Sequence, residues 1–257
     1  MQDELLERFK TRLADVGLSI SNIDDEGQIH IDFDDNTLKI SLNNVRKSYE
    51  QDGTLDHLEN LVQSIRDYMM EEQIPAWPES EEKVFWSLFP GNFEFGNHIN
   101  ERVTSDFHKY YVSYVNGQYV WINHKQLSIW NISEHEFKKQ VDKNMNDLLE
   151  KSTNEVLEME SGARLAYFNT EMEELKSALL LSKNLKLKIS PVIGYPVYCV
   201  LPVRDFCYMF NEQDKDELIN ALGETVLKEY RNSGYEISTE ILKISNAGIE
   251  PIGKYEA

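Results

Sequence analysis

The sequence predicts an α+β fold in which β-hairpins alternate with helices, so that antiparallel sheet packs against helices. Three observations predict it. Paired runs with strand-like alternation or apolar, β-branched composition recur from near residues 29, 110, 155 and 197. A run with apolar residues at helical spacing follows each pair. The unequal spacing of these hairpin-then-helix units argues against a stacked repeat array.

Taken in order, residues 3–16 place Leu5, Leu6, Phe9, Leu13 and Val16 near helical spacing, with Gly17 as the stop. Ile29, Ile31 and Phe33 alternate with His30 and Asp32, and Leu38, Ile40 and Leu42 repeat the pattern beyond Asp34-Asp35-Asn36, as in a hairpin with one wet face. A helical turn over 43–49 leads to Thr54, an N-cap for the stripe Leu55, Leu58, Leu61, Val62, Ile65, Tyr68 and Met69. In the second unit, runs 110–115 and 118–123 flank Asn116-Gly117, a strong hairpin signal. A short helix over 123–130 follows, and Ser133 with Glu136 forms a capping box before Phe137, Val141, Met145, Leu148 and Leu149. Runs 155–160 and 164–168 flank Ser161-Gly162, and Thr170 with Glu173 caps a helix bearing Met172, Leu175, Leu179 and Leu181. The run 197–210, apolar except for Pro202-Val-Arg-Asp, reads as two strands buried on both faces in the middle of a sheet. A helix over 214–231 and a closing hairpin around Asn246-Ala247-Gly248 end the chain, with Pro251 suited only to an edge.

Domain organisation follows: an N-terminal helix-hairpin-helix module over 1–74, a linker over 75–83 marked by prolines and Glu79, Glu81 and Glu82, and a larger α+β portion over 84–257. The aromatics Trp86, Phe93 and Phe95 show that the segment after the linker packs, with 84–89 as an added strand.

At 257 residues the chain buries a core without disulfides or metals. Its 45 acidic against 26 basic residues give a formal charge of −19. Such a field repels nucleic acid and anionic membrane and favours a basic protein partner. No apolar run approaches the roughly 20 residues of a membrane span. The start, Met1-Gln-Asp-Glu-Leu-Leu-Glu, lacks the basic and apolar regions of a signal peptide, which predicts a cytoplasmic protein. Cys199 and Cys207 are the only cysteines. A hairpin turning at Val203 sets them opposite each other, either as a redox pair or as buried free thiols.

No motif with recognisable chemistry is present, and neither a cofactor, a metal nor a catalytic residue is predicted. Asn22 to Ile29 imitates the start of an EF-hand loop, but Phe33 stands where the loop needs its bidentate Glu. The six histidines are scattered without ligand spacing. Arg204 and Asp205 draw attention because charges within an apolar stretch need partners or a turn. Asp205 is either a base or metal ligand in a polar pocket or an acceptor in the turn, where Arg204 then pairs with a helix carboxylate. Tyr110, Tyr111, Tyr114, Tyr119, Trp121 and Trp130 cluster around one hairpin. Since strand faces alternate, some lie away from the core unless helices cover both faces. The candidate binding residues are therefore Arg204, Asp205, Tyr111, Tyr119, Trp121 and Trp130.

Several short stretches resemble the uncharacterised bacterial YtpQ-like family, a domain-of-unknown-function group. They are Ile40-Ser-Leu-Asn-Asn, Leu127-Ser-Ile-Trp-Asn-Ile-Ser-Glu-His-Glu-Phe with Asn144, Leu201-Pro-Val-Arg-Asp, Ile237-Ser-Thr-Glu-Ile-Leu and Gly248-Ile-Glu-Pro. The resemblance implies an intracellular bacterial protein and no activity. Asn131 departs from it by standing where Gly is expected, and the third strand pair is more polar than the resemblance implies. The functional expectation is a non-catalytic interaction protein of immunity or inhibitor type that binds a basic partner; the alternative is a hydrolase or metal-dependent enzyme using Asp205.

Overall fold

The computed structural model describes residues 2–25, 27–33, 36–69, 75–93, 97–115 and 118–256. The chain divides into two units, Met1–Ile74 and Pro75–Ala257. The fold class is α+β, with antiparallel pairing throughout the described strands.

In the first unit, helix α1 (Gln2–Asp15) presents Leu5, Phe9 and Leu13 to a core shared with strand β2 (Ile29–Phe33) and helices α2 (Asn43–Asp52) and α3 (Asp56–Met69). Strand β1 (Asn22–Ile23) and strand β3 (Asn36–Ile40) flank β2. Ile29 and Ile31 are buried while Asp32 is exposed, so the hairpin has the wet face that its alternation predicts. The loop resembling an EF-hand is closed by its own side chains: Asp24 accepts from the Gln28 N–H at 2.8 Å and faces His30 Nε2 at 3.1 Å. The Asp34-Asp35 turn lies outside the described residues.

The second unit begins at Pro75, and the segment expected as a linker belongs to it. Residues 77–83 form helix α4 (Trp77–Ser80) and a 3-10 turn, Glu81–Lys83. Ser80 is buried with its hydroxyl donating to the Pro75 carbonyl, and the Trp77 ring packs 5.1 Å from that of Trp130. Prolines and acids made the segment look like a linker, but these anchors hold it in the fold.

Strand β4 (Val84–Pro90) follows, then β5 (Asn100–Arg102), β6 (Phe107–Val115) and β7 (Gln118–Trp121). β6 is the spine of this sheet: β4 lies along one side of it, while β5 and β7 pair with its other side. The Asn116-Gly117 turn lies outside the described residues, but the pairing of Tyr114 with Tyr119 on either side of it is that of a hairpin. Helix α5 (His124–Trp130) is capped by Asn123, whose side chain accepts from the Gln126 N–H at 2.8 Å. It ends at Asn131 with φ 54°, a left-handed conformation that Asn tolerates best after Gly. Helix α6 (Glu134–Lys151) opens on the predicted capping box: the Glu136 N–H donates to Ser133 Oγ and the Ser133 N–H donates back to the Glu136 carboxylate.

The larger sheet contains β8 (Thr153–Glu158), β9 (Arg164–Asn169), β10 (Val197–Val203), β11 (Phe206–Phe210), β12 (Glu240–Ser245) and β13 (Gly248–Lys254), in the spatial order β13-β12-β10-β11-β9-β8. Helix α8 (Lys215–Asn232) covers one face, where Leu218, Leu222 and Val226 meet Leu165, Tyr198, Val200 and Phe210. By strand alternation Ala166, Phe168, Val197, Cys199 and Met209 occupy the other face, and all are buried. The stretch 197–210 is thus central, as predicted, and Pro251 sits on an edge strand.

Between β9 and β10 the expected single helix over 170–181 is instead two 3-10 turns, Glu173–Leu175 and Ser177–Leu181, followed by helix α7 (Leu185–Ile193), which has Pro191 in its interior. Leu175 and Leu179 are buried and Leu181 is half-buried, in a tighter winding than expected. Cys199 and Cys207 also differ from expectation. The two-residue turn is Arg204-Asp205, Cys199 pairs with Met209, and a register shift follows Val200, so the cysteines are not opposed. Both are free and buried. Burial pushes both thiols up, Cys207 to about 12, which keeps them protonated and unreactive at neutral pH.

Candidate binding site around Arg204

The turn joining β10 to β11 is fixed from two sides. Ser177, buried in a 3-10 turn, holds its Oγ 2.6 Å from the Val203 carbonyl and 3.0 Å from that of Phe206, and its N–H donates to the Arg204 carbonyl. From the other side, the Arg204 N–H donates to the Tyr235 carbonyl and the Ile237 N–H to the Pro202 carbonyl at 2.7 Å. A turn held this way aims its side chain with little freedom.

The Arg204 side chain points among aromatic rings rather than to the helix carboxylate expected for it. Its guanidinium carbon lies 4.1 Å from the ring centre of Tyr235, 5.1 Å from that of Phe89 and 5.8 Å from that of Tyr119. Trp121 extends the group, 6.0 Å from Phe89, and Tyr114 packs 5.6 Å from Tyr119. Burial lowers the Arg204 pKa, against the opposing influence of Tyr119, Tyr235, Asp205 and Glu174, and burial raises that of Tyr119. Tyr114, Tyr119 and Trp121 stay partly exposed, Tyr235 is 52% exposed, and the acids Glu174 and Asp205 are exposed beside them. The result is an aromatic face around one cation, bordered by carboxylates.

Register explains which predicted residues join this face. Trp121 pairs with Val112 and Tyr119 with Tyr114, so these point to the side opposite Tyr111. Tyr111 instead faces α6 and is buried, its ring 5.6 Å from that of Phe137. Trp130 is buried in the same cluster, donating its indole N–H to the Pro75 carbonyl at 2.9 Å. Arg204, Tyr119 and Trp121 are therefore brought together, whereas Tyr111 and Trp130 hold the core. Asp205 is exposed at the turn tip, outside both described grooves of the surface. Among the described residues no three His, Cys, Asp or Glu side chains converge as a metal site. Tyr235 and Phe89 were not singled out from sequence; the signal available for Tyr235 was a tyrosine beside Gly234 in a polar loop.

Replacing Arg204 by Ala is expected to cost about 1–2 kcal/mol, from the lost ring contacts and packed stem. Arg204→Met, which keeps most of the stem volume, is expected to cost less. Urea midpoints compare the two, and a neutral Arg204→Ala change contradicts the packing role.

A second polar cluster lies behind the sheet. Glu101 on β5 accepts from the Tyr111 hydroxyl at 2.6 Å and pairs with Lys109 at 2.9 Å and Lys138 at 2.8 Å. Burial works to raise the Glu101 pKa, but hydrogen bonds from Lys138, Tyr111 and Lys109 together outweigh it and hold it at about 2 instead of 4.5. A depressed carboxylate contributes stability above its unfolded pKa and loses it as pH falls through the folded value. The Glu101 side chain is 39% exposed, so solvent screening reduces the contribution to about 1 kcal/mol. Compared with Glu101→Gln, the native chain should lose this advantage between pH 4.5 and pH 2. Parallel pH-dependent urea titrations showing no divergence would rule out the pairing.

Fold and face together define an α+β protein with a partly exposed aromatic surface around a fixed arginine. No protein-family model, curated protein or solved structure matches the chain.

Proposed function

We propose that this chain is a non-catalytic interaction protein that binds a basic protein partner, as an immunity or inhibitor protein does. The observation that carries the reading is the aromatic face around Arg204 with Glu174 and Asp205 at its border, set in a chain of charge −19. Partly exposed tyrosine and tryptophan rings beside carboxylates have the composition of an interface core with a polar rim. Several of the cations are used within the fold. Lys109, Lys138, Lys176, Lys183, Lys215 and Lys254 pair with carboxylates, leaving the acidic excess to dominate the outer field.

The same field disfavours nucleic acid and anionic membrane as partners. Among the described residues no helix is long and apolar enough to cross a membrane. A cytoplasmic location and kinship with the YtpQ-like family belong to the proposal, the latter supported by the short stretches quoted above. The test is capture of the tagged chain from its own organism at low and moderate salt, with bound proteins identified by mass spectrometry. A stoichiometric basic partner, lost at higher salt and weakened by Tyr235→Ala, is the expected result. Recovery of nothing above background at either salt overturns the reading.

A further inference from the structure

The two outer strands of the larger sheet are unlike. β13 carries Pro251 and Lys254, and its pairing with β12 shifts register between Ile241 and Leu242, all features that blunt an edge. β8 has none of them. From Thr153 to Glu160, through β8 and into the turn after it, the chain reads Thr-Asn-Glu-Val-Leu-Glu-Met-Glu, without proline, lysine or arginine, and β8 pairs only with β9 in unbroken register.

The open side of β8 can be read from one bond. The Met159 N–H donates to the Ala163 carbonyl at 2.8 Å, closing a hairpin turned by Gly162 at φ 89°. Antiparallel alternation then directs Leu157 and Glu155 toward β9 and turns the N–H and C=O groups of Asn154, Val156 and Glu158 outward. Among the described residues nothing bonds these groups. Apolar side chains stand exposed along the same strand: Val156 at 40% on one face, Leu157 at 44% and Met159 at 37% on the other. Glu155 takes hydrogen bonds from Tyr167 and Asn169, while Glu158 and Glu160 have no partner among the described residues.

We propose that β8 is a docking edge that takes an extended segment of a partner protein, aliphatic and cationic, as an added antiparallel or parallel strand. Backbone pairing supplies the affinity, and lysine or arginine side chains beside Glu158 and Glu160 supply the selection. A second copy of this chain is disfavoured as the occupant, because β8 against β8 brings together Glu155 and Glu158 of each strand, with Glu160 just beyond, and no cation between Thr153 and Glu160 offsets them. The acids thus prevent self-association while leaving the edge open to a strand of opposite charge. The sign of the partner's charge rests on the acidic-interface reading above; the location and the strand geometry do not.

The test uses the full chain and a short acetylated peptide of alternating lysine and valine. A control peptide of the same sequence is N-methylated at alternate backbone nitrogens, which keeps the charge and removes the pairing edge. Calorimetry is expected to show the control and the variant Val156→Pro each weakening binding by at least about tenfold, since several backbone bonds are lost. Because the Val156 N–H points outward, proline there removes no bond to β9. The amides of Asn154, Val156 and Glu158 should also exchange more slowly when the unmodified peptide is bound. Equal binding of the two peptides, with no slowing at these amides, overturns the docking edge and leaves the acidic interface standing as charge attraction alone. No binding of either peptide at low salt also overturns the edge, and the capture experiment then decides the broader reading independently.

Discussion

Phe137→Ala is expected to destabilise the second unit by about 3–5 kcal/mol, the range for emptying a filled aromatic site in a core. Phe137 is fully buried on α6, and its ring centre lies 5.6 Å from that of Tyr111 and 6.2 Å from those of Trp77 and Trp130. These rings come from α4, β6 and α5, so one side chain joins three elements that the sequence separates. Truncation leaves a cavity that the surrounding rings, fixed by the Trp130 bond to Pro75 and the Tyr111 bond to Glu101, cannot easily fill. Phe137→Leu keeps much of the volume and should cost less. All four tryptophans lie beyond Pro75, so tryptophan fluorescence during urea unfolding reports on the unit in question. A loss below about 1 kcal/mol would mean that the ring cluster is not the centre of this packing.

Asn144→Leu is the second large effect, at about 2–4 kcal/mol, although Leu is similar in size and apolar. The Asn144 amide sits on α6 and donates to the Glu81 carbonyl at 2.7 Å and the Val84 carbonyl at 2.8 Å, while its oxygen accepts from Gln140 at 2.8 Å. It therefore ties the start of β4 to the helix that covers the sheet. Leucine withdraws the amide donor from both carbonyls in a site where Asn144 itself is 7% exposed. Asn144→Asp replaces the two donors with a carboxylate facing carbonyl oxygens and should be worse at neutral pH. Urea denaturation of both variants measures the difference. A neutral Asn144→Leu change would show that other donors or water serve these carbonyls.

The parts of the fold that were legible are those whose signal lies within about ten consecutive residues. The Ser133–Glu136 capping box, the hairpin flanking Ser161-Gly162 and the central position of 197–210 all follow from local chemistry and composition. α7 was missed because Pro191 and a weakly periodic run mask it, and β5 because three residues carry no pattern. The segment 75–83 misled because its prolines and glutamates lie outward, while Trp77 and Ser80 hold it inward.

The candidate site divides in the same way. That Arg204 and Asp205 form a turn was readable from two charges inside an apolar run. That Tyr119 and Trp121 face away from Tyr111 is implied by any hairpin turning at Asn116-Gly117, since Tyr114 and Tyr111 then have opposite parity. Tyr235 and Phe89 were not readable as neighbours of Arg204, because they approach it from distant parts of the chain.

Local chemistry is enough for the α+β class, the Ser133–Glu136 capping box, the hairpin strands and the acidic field, because propensity, alternation and net charge act locally or add without regard to fold. Two expected caps fail: Leu55, not Thr54, precedes the helix over Asp56–Met69, and Met172, not Thr170, precedes the 3-10 turn Glu173–Leu175. Long-range packing sets which face of the smaller sheet α6 covers, that Arg204 meets rings instead of a carboxylate, and that β8 is left as an open edge. Those outcomes depend on which surfaces remain after long-range packing, and burial is a property of the assembled elements rather than of any one of them.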